Sequence, residues 1–276
     1  MISVDARGRM GNQMFQLAFA HAAARRLGTT YIFGDAPLWE NFDLGRWGRR
    51  RTRLLRKARF RLRYGSTGPA QVFVDVEDDP GEALAQLRDH AAYGGYFQSE
   101  RYFEPYQAEV RALFAVRPEH ERAFAARYGD LADYVCVHVR RADYLEIEGW
   151  ALPASYFADA LTQLDAWTGD RPILVVSDDI DAARGELGYL PGLRFEANPP
   201  MIDLLLLMHA DAVVVSNSSF SWWGAWLNRR PGVRVLAPEH WVGFERAIES
   251  PRDVICAGWE RVTVREAALR ARPEHG

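Results

Sequence analysis

The stretch that decides the fold is Tyr134-Val-Cys-Val-His-Val-Arg-Arg-Ala-Asp-Tyr144. Its first half, residues 134–139, is apolar and β-branched apart from one histidine, a pattern typical of a strand buried on both faces of a parallel sheet. Its second half changes abruptly to the charged residues Arg140, Arg141 and Asp143. In an open α/β sheet such a change marks the carboxyl end of a strand, where ligands bind.

Two adjacent arginines at a strand end point in different directions, so we expect one to face a ligand and the other to be tied into the fold. The guanidinium group is a planar, permanently charged set of donors that fits phosphate or pyrophosphate well. The stretch therefore indicates an anion site for the leaving group of a nucleotide. The alternative is a structural ion pair of Arg140 or Arg141 with Asp143.

Strands and helices are predicted to alternate on both sides of this stretch. Downstream, strands are predicted at 134–139, 173–177, 193–195, 212–216 and 233–236, with helices at 154–167, 180–185, 202–209 and 220–228. This alternation favours a parallel, doubly wound sheet. Upstream the same theme is less regular, with strands at 2–6 and 30–33, a glycine loop at 8–13 and a helix at 14–27. We interpret the chain as two Rossmann-like domains, 1–125 and 126–245, and a helical or irregular tail, 246–276, that crosses back to the first domain.

Composition excludes several classes of function. A formal net charge of -3 over 276 residues gives no general reason to expect a nucleic-acid partner. Only two cysteines occur, which argues against a disulfide scaffold or a cysteine-based zinc site. The single lysine, Lys57, lies in no Gly-Lys-Ser/Thr triplet, so a P-loop is excluded.

The same survey predicts a cytoplasmic protein. No signal peptide is visible, and no apolar run approaches the ~20 residues that span a bilayer. The segment Arg46–Arg63 holds ten basic residues and no acidic one. Such a segment is either a solvated helical face or a site of attraction to anionic lipid, which would hold the protein peripherally at the inner membrane.

Three short motifs could bind an anion or a metal. The glycine loop Gly8-Arg-Met-Gly-Asn-Gln13 lies between a strand and a helix, which brings N–H groups close to an anion, or it is simply a tight turn. The run Ser216-Asn-Ser-Ser219 opens a helix and could hold phosphate or supply an N-cap, and the tryptophans after it are predicted to pack in the core. Asp179-Ile-Asp181 resembles the Asp-x-Asp metal site of many glycosyltransferases, but an aspartate cap is simpler at a helix start, so no metal is predicted.

Three segments together resemble the hallmark segments of α1,2-fucosyltransferases. They are Gly8-Arg-Met-Gly-Asn-Gln-Met-Phe-Gln16, His138-Val-Arg-Arg-Ala-Asp-Tyr144 and Ser216-Asn-Ser-Ser-Phe-Ser-Trp-Trp-Gly-Ala-Trp-Leu227, and Tyr96-Phe-Gln-Ser-Glu100 is similar to a fourth. The resemblance implies an α/β, GT-B-like fold and inverting transfer of L-fucose from GDP-fucose without a required metal. It also implies that the acceptor is the 2-hydroxyl of a terminal β-galactoside in a cell-surface glycan such as lipopolysaccharide.

The resemblance also implies the roles of individual residues. Arg140 corresponds to the arginine that binds the donor pyrophosphate, and Asp203 to the partner of the guanine N1–H and amine. His138 would lie close to the nucleotide, and Asn12 would face the donor from the glycine loop. The full set of implied donor-binding residues is Asn12, His138, Arg140, Asp203, Ser218 and Ser219.

The catalytic set implied in this way is Arg140, Asp143 and Glu148. Asp143, Glu146 and Glu148 are candidates for the base, and Glu148 lies where α1,6-fucosyltransferases place a carboxylate base, but each could equally be a surface carboxylate. Asp143 is alternatively a support for Arg140. Two other functions stay open: a transferase that uses another GDP-sugar or makes another linkage, and a non-catalytic protein that binds nucleotide or glycan.

Overall fold

The computed structural model describes residues 1–34, 37–44, 69–242 and 249–265, and the chain divides into two compact units. Unit 1 contains Met1–Gly129 and Ser250–Cys256, and unit 2 contains Asp130–Glu249 and Ala257–Gly276. The arginine-rich segment Arg46–Arg63 lies outside the described residues. Within the described ranges, no helix has the length and apolar character needed to cross a membrane.

Unit 1 is built on a four-stranded parallel sheet with the order β2-β1-β4-β3. The strands are β1 (Ile2–Val4), β2 (Tyr31–Phe33), β3 (Ala70–Phe73) and β4 (Ala91–Gly94). The helices are α1 (Met10–Arg26), α2 (Pro80–Ala85), α3 (Gln107–Leu113) and α4 (Pro118–Tyr128). Helix α1 is packed into this unit through side chains such as Phe19, whose ring stacks on Phe97 with centroids 3.7 Å apart.

Helix α1 begins earlier than the sequence predicts. The predicted start is Met14, whereas the observed start is Met10, so Asn12 lies in the first helical turn and not in a loop. The connection from β1 to α1 is residues 5–9, and within it Gly8 has a φ of +73°, which lies in the left-handed region that glycine adopts readily.

Unit 2 is built on a six-stranded parallel sheet with the order β10-β9-β8-β5-β6-β7. Its strands are β5 (Val135–Val139), β6 (Ile173–Ser177), β7 (Leu193–Phe195), β8 (Ala212–Val214), β9 (Arg234–Pro238) and β10 (Glu260–Val262). Its helices are α5 (Ala154–Thr168), α6 (Ile180–Leu187), α7 (Pro200–His209) and α8 (Ser219–Leu227). All five residues of β5 are buried, as expected for the central strand of a parallel sheet.

The C-terminal tail corrects the prediction of helical or irregular structure. Residues 260–262 form β10, which pairs in parallel with β9. Three residues are too few to produce a clear alternating pattern, and their strand conformation is fixed by pairing with a neighbour distant in sequence. Just before it, the segment Ser250–Cys256 belongs to unit 1, where Ser99 Oγ donates to the Asp253 carbonyl at 2.7 Å and Arg252 pairs with Asp79 at 3.0 Å.

Helix α8 is held by close packing in the core of unit 2. Trp222 and Trp223 are fully buried, which confirms that the tryptophans pack in the core. A methyl group at Gly224 would lie only 2.5 Å from Leu207 Cβ of α7, so these two helices are in close contact. This packing fixes where α8 starts, and the start of α8 is part of the site described below.

Candidate active site

The site of unit 2 lies where the winding of its sheet reverses. Strands β5 and β8 are neighbours, and the chain leads outward from them through β6 and β7 on one side and β9 and β10 on the other. At such a switch point the connections leave the carboxyl ends of the two strands in opposite directions, and a ligand crevice opens between them. The residues that follow β5 are Arg140 and Arg141, and those that follow β8 begin with Val215 and Ser216.

Arg140 is the cationic side chain of this crevice. Its side chain is 10% exposed, and its guanidinium pairs with Asp143 and, at 2.5 Å, with Asp178. The guanidinium carbon lies 4.9 Å from the ring centroid of Tyr144. Its Nε is buried and has no hydrogen-bond partner among the described residues. The ion pair with Asp143 that the sequence offered as an alternative is present, and the Nε–H of the same group stays unpaired among the described residues.

Arg141 is tied into the fold, as expected for one of the two arginines. Its side chain is 1% exposed and makes two bonds to Glu186, from Nε at 3.0 Å and from Nη2 at 2.5 Å. Its Nη1 donates to the carbonyl of Arg140 at 2.8 Å, and its backbone N–H donates to Asp178 at 2.8 Å. Arg141 therefore holds the backbone that presents Arg140.

His138 is buried one residue before the end of β5. A hydrogen bond of 2.7 Å joins its Nδ1 to Ser216 Oγ, and its ring lies 5.4 Å from that of Phe220. Burial, helped by the nearby positive charges of Arg140 and Arg141, lowers the pKa of His138 from 6.5 to about 3. The imidazole is therefore neutral near pH 7, and it links the end of β5 to the turn after β8.

The turn after β8 leads into the N-terminus of α8. Ser218 is the N-cap and accepts from Phe220 N at 3.4 Å, so the capping alternative is present. Ser219 is the first helical residue and is partly exposed. Asn217 is buried, its Nδ2 donates to the Trp150 carbonyl at 2.8 Å, and its Oδ1 has no partner in the described part of the chain. The first N–H groups of a helix carry partial positive charge, so this end of α8 favours an anion.

Asp203 lies in the first turn of α7, which follows the carboxyl end of β7. It is 6% exposed, and its Oδ1 accepts a hydrogen bond from Asn198 Nδ2 at 3.0 Å. A buried carboxylate oriented by an amide is suited to accept hydrogen bonds from a planar donor pair. It thus belongs to the same unit as Arg140, His138 and Ser218.

Asn12 belongs to unit 1, where the connections after β1 and β4 are joined to each other. Its Oδ1 accepts from Gln98 Nε2 at 2.7 Å. Gln16, which is fully buried, accepts from Arg7 N at 2.8 Å and donates to the Gly95 carbonyl at 3.1 Å. The glycine loop and the Tyr96–Glu100 segment are thus parts of one structure within unit 1.

The candidate carboxylates follow Arg140 in a short 3-10 turn, Ala142–Glu146, and the loop after it. Asp143 is 44% exposed and paired with Arg140, while Glu146 and Glu148 are exposed. Asp179 caps α6 by accepting from Ala182 N at 3.0 Å, the simpler of the two roles considered for it. Among the described residues, no group of three or more histidine, cysteine, aspartate or glutamate side chains could hold a metal ion.

Three contributors to this site were not assigned from the sequence. Asp178 binds both the Arg140 side chain and the Arg141 backbone, and its position directly after β6 was a usable signal. Tyr144 covers the Arg140 guanidinium and donates to the Asn217 carbonyl at 3.1 Å. Asn217 holds Trp150, and no sequence pattern links residues 67 positions apart.

Comparison with solved structures identifies the fold of the chain. The chain is similar to a variant of Arabidopsis thaliana FUT1 in complex with GDP, with a TM-score of 0.52, 11% identity, and coverage of 90% of this chain and 73% of that one. It is also similar to POFUT1 in complex with GDP, with a TM-score of 0.51, 14% identity, and coverage of 86% and 97%. With its two units built on parallel sheets, the chain has a GT-B-like α/β fold, as predicted.

Comparison of sequences gives the family. The model of the family described as glycosyl transferase family 11 matches residues 89–262, more than half of the chain. The chain belongs to glycosyl transferase family 11, which confirms the resemblance inferred from the three segments.

Curated relatives come from bacteria and animals. An Escherichia coli alpha-1,2-colitosyltransferase is 30% identical over 64% of this chain and 64% of that protein. The E. coli O-antigen biosynthesis glycosyltransferase WbnK is 30% identical over 56% and 57%. The mouse galactoside 2-alpha-L-fucosyltransferase Sec1 is 23% identical over 92% and 76%. The matches to the two E. coli proteins span less than two thirds of their lengths.

Proposed function

We propose that this protein is an inverting α1,2-fucosyltransferase that moves L-fucose from GDP-fucose to the 2-hydroxyl of a terminal β-galactoside in a cell-surface glycan. Family membership and the named activities of the mouse and E. coli relatives support this proposal. The observation that carries it is the buried Arg140 guanidinium, with one N–H left over, at the sheet's switch point.

In the proposed mechanism, GDP departs while the acceptor hydroxyl attacks from the opposite face of fucose. The transition state resembles an oxocarbenium ion, so negative charge grows on the β-phosphate oxygen as the bond breaks. Donors fixed before the reaction stabilise this charge more than they stabilise the bound substrate. Arg140 and the N–H groups at the start of α8, near Ser218 and Ser219, supply such donors without a metal ion.

The remaining donor contacts are assigned by chemistry. Asp203 accepts from the guanine N1–H and amine, because an oriented carboxylate matches that donor pair and matches neither uracil nor adenine in the same way. The neutral His138 ring lies against the nucleotide, and Asn12 of unit 1 faces the donor. We propose Glu148 as the base that takes the acceptor proton. Asp143, which is paired with Arg140, orients the arginine.

The direct test is to incubate the purified protein with GDP-fucose and lactose or N-acetyllactosamine, and to identify the linkage by NMR. The expected product carries fucose in α-linkage on the galactose 2-hydroxyl, and EDTA leaves the rate unchanged. A thermal-shift comparison should show stabilisation by GDP well above that by UDP or ADP. Product with another linkage, or equal stabilisation by the three nucleotides, would contradict the proposal.

A second candidate is transfer of a sugar other than fucose, which the similarity to an alpha-1,2-colitosyltransferase favours. Colitose lacks the 3-hydroxyl group of fucose, so competition between GDP-fucose and GDP-colitose for one acceptor separates the two candidates. A non-catalytic binding protein would bind GDP but would not slowly hydrolyse GDP-fucose when no acceptor is present. Attraction of Arg46–Arg63 to the inner membrane stays a prediction for a cytoplasmic protein, testable by cosedimentation with anionic vesicles.

A further inference from the structure

The loop after Arg140 exposes an unusual amount of apolar surface. Of the six large hydrophobic side chains exposed in the described ranges, three lie on this loop: Leu145 at 52%, Ile147 at 42% and Trp150 at 36%. Single exposed apolar residues are common on protein surfaces, whereas a cluster of them next to polar residues is typical of a ligand-binding or protein-binding surface. The proposed contacts with GDP-fucose do not use these three apolar side chains, so the cluster is available for another ligand.

This loop, residues 141–150, is fixed at Tyr144 and at Trp150 to Asn217 in the turn after β8. The Tyr144 hydroxyl donates to the Asn217 carbonyl at 3.1 Å, and Asn217 Nδ2 donates to the Trp150 carbonyl at 2.8 Å. The Tyr144 and Trp150 rings meet edge to face, with centroids 5.2 Å apart at 81°. Tyr144 in turn lies under the Arg140 guanidinium. A connected series of contacts thus runs from the proposed leaving-group cation to the exposed indole ring.

We propose that this loop is an acceptor subsite, in which the Trp150 ring stacks on the apolar face of a pyranose of the acceptor glycan. A pyranose has a face of C–H groups and a rim of hydroxyls, so it matches a flat aromatic ring flanked by carboxylates. The loop offers that combination, because Glu146 and Glu148 are exposed among Leu145, Ile147 and Trp150. A protein partner would need about 800 Å² of complementary surface, far more than three side chains provide.

The position of the loop favours the acceptor over the donor sugar. This inference rests on the proposed function, in which the acceptor attacks fucose from the side opposite the phosphate. The diphosphate is assigned to Arg140 and the start of α8, whereas the loop that follows Arg140 has its side chains 145–148 and 150 exposed to solvent and therefore accessible to a second substrate. Part of the acceptor site would then lie on the unit that binds the donor.

The test compares Trp150→Ala and Trp150→Phe with a matched control, Tyr189→Ala. Tyr189 is also an exposed aromatic residue of unit 2, at 67%, but it precedes the edge strand β7, whereas the loop follows the carboxyl end of the central strand β5. The Asn217 bond uses the Trp150 backbone, so truncation of the side chain leaves it intact. For each variant we would measure KM for N-acetyllactosamine, KM for GDP-fucose, the Kd for GDP, and the rate of GDP-fucose hydrolysis without acceptor.

We expect Trp150→Ala to raise the acceptor KM about tenfold, equivalent to about 1.4 kcal/mol. Trp150→Phe should recover most of that loss, and Tyr189→Ala should match the unaltered protein. The GDP Kd and the hydrolysis rate should stay within twofold in all three. An unchanged acceptor KM in Trp150→Ala, or a loss confined to GDP-fucose, would overturn the subsite. A wild-type protein that transfers no fucose would instead refute the proposed function.

Discussion

The sharpest test of the site compares the separate substitutions of two neighbouring arginines, Arg140 and Arg141. Arg140 is predicted to act on the substrate, and Arg141 is predicted to hold the fold. Replacing each by alanine in turn should therefore damage different properties of the protein. The Arg140→Ala variant should fold normally but should stabilise the transition state poorly, so its turnover falls. The Arg141→Ala variant should instead have a lower free energy of unfolding.

The expected magnitudes follow from the partners of each side chain. Loss of Arg141 removes one member of a buried pair, which costs roughly 3–5 kcal/mol, and the 37% exposure of Glu186 places the effect near the lower value. For a unit of this size about 3 kcal/mol corresponds to a Tm lower by roughly 6–12 °C. Arg140 is 10% exposed against 1% for Arg141, and Arg141 also bonds the backbone carbonyl of residue 140, so we expect the loss of Arg140 to cost less, about 1–2 kcal/mol and roughly 2–8 °C.

Turnover should show the reverse order. Removing a donor aimed at developing charge typically lowers kcat by about 10²–10³, and we expect that loss for Arg140→Ala, with part of it recovered in Arg140→Lys. The assay is kcat for fucose transfer together with Tm on the same preparations, measured at a temperature where both variants are folded. Near-normal kcat in Arg140→Ala, or an unchanged Tm in Arg141→Ala, would show that the two roles are assigned wrongly.

Three further results are expected. Asp203→Asn should weaken GDP binding about 10–100-fold and leave UDP binding little changed, because it removes a charge-assisted contact to guanine. If calorimetric titration shows an unchanged preference for GDP over UDP, Asp203 takes no part in base recognition. Burial lowers the pKa of His138 to about 3 in the folded protein from its ordinary 6.5, so the unfolded chain takes up the proton first and the free energy of unfolding falls as the pH drops below 6.5. His138→Gln should remove about 2–3 kcal/mol of that loss between pH 6.5 and 4.5 in urea titrations, and an equal pH dependence for the two proteins would refute this. Gly224→Ala should destabilise the protein by about 1–3 kcal/mol because the added methyl group would meet Leu207, whereas Gly185→Ala in α6, which has open space around it, should stabilise the protein by about 0.5–1 kcal/mol. Similar Tm values for the two variants would contradict the packing argument.

The centre of the unit 2 sheet was predictable because strands β5 and β8 are buried along their whole length, as a continuous apolar run indicates. Strand β6 has the predicted bounds Ile173–Ser177, and α5 begins at the predicted Ala154. The ends of elements were less accurate where proline decides them. Helix α7 starts at Pro200 and not at Ile202, because proline is well tolerated in the first turn, where no N–H bond is lost.

The position of a candidate residue was predictable where a polar residue directly follows an apolar strand, as Arg140 follows β5. It was not predictable where the partners come from different strands or loops. The choice between Arg140 and Arg141 depends on Glu186, which lies on α6, and Asn217 is fixed by a backbone carbonyl at Trp150. Such contacts are set by the topology of the sheet, so they become visible only when the strands are placed side by side.

The late return of the chain to unit 1 has a practical consequence for recombining this protein with its relatives. Because residues 250–256 belong to the first unit and β10 is contributed only afterwards, the second unit is not a continuous segment of the gene. A chimera joined at one crossover near residue 130 and ended before Glu260 would lack the outermost strand beside β9. Exchange of unit 2 between relatives therefore requires two junctions, or a single junction that carries the whole C-terminus with it.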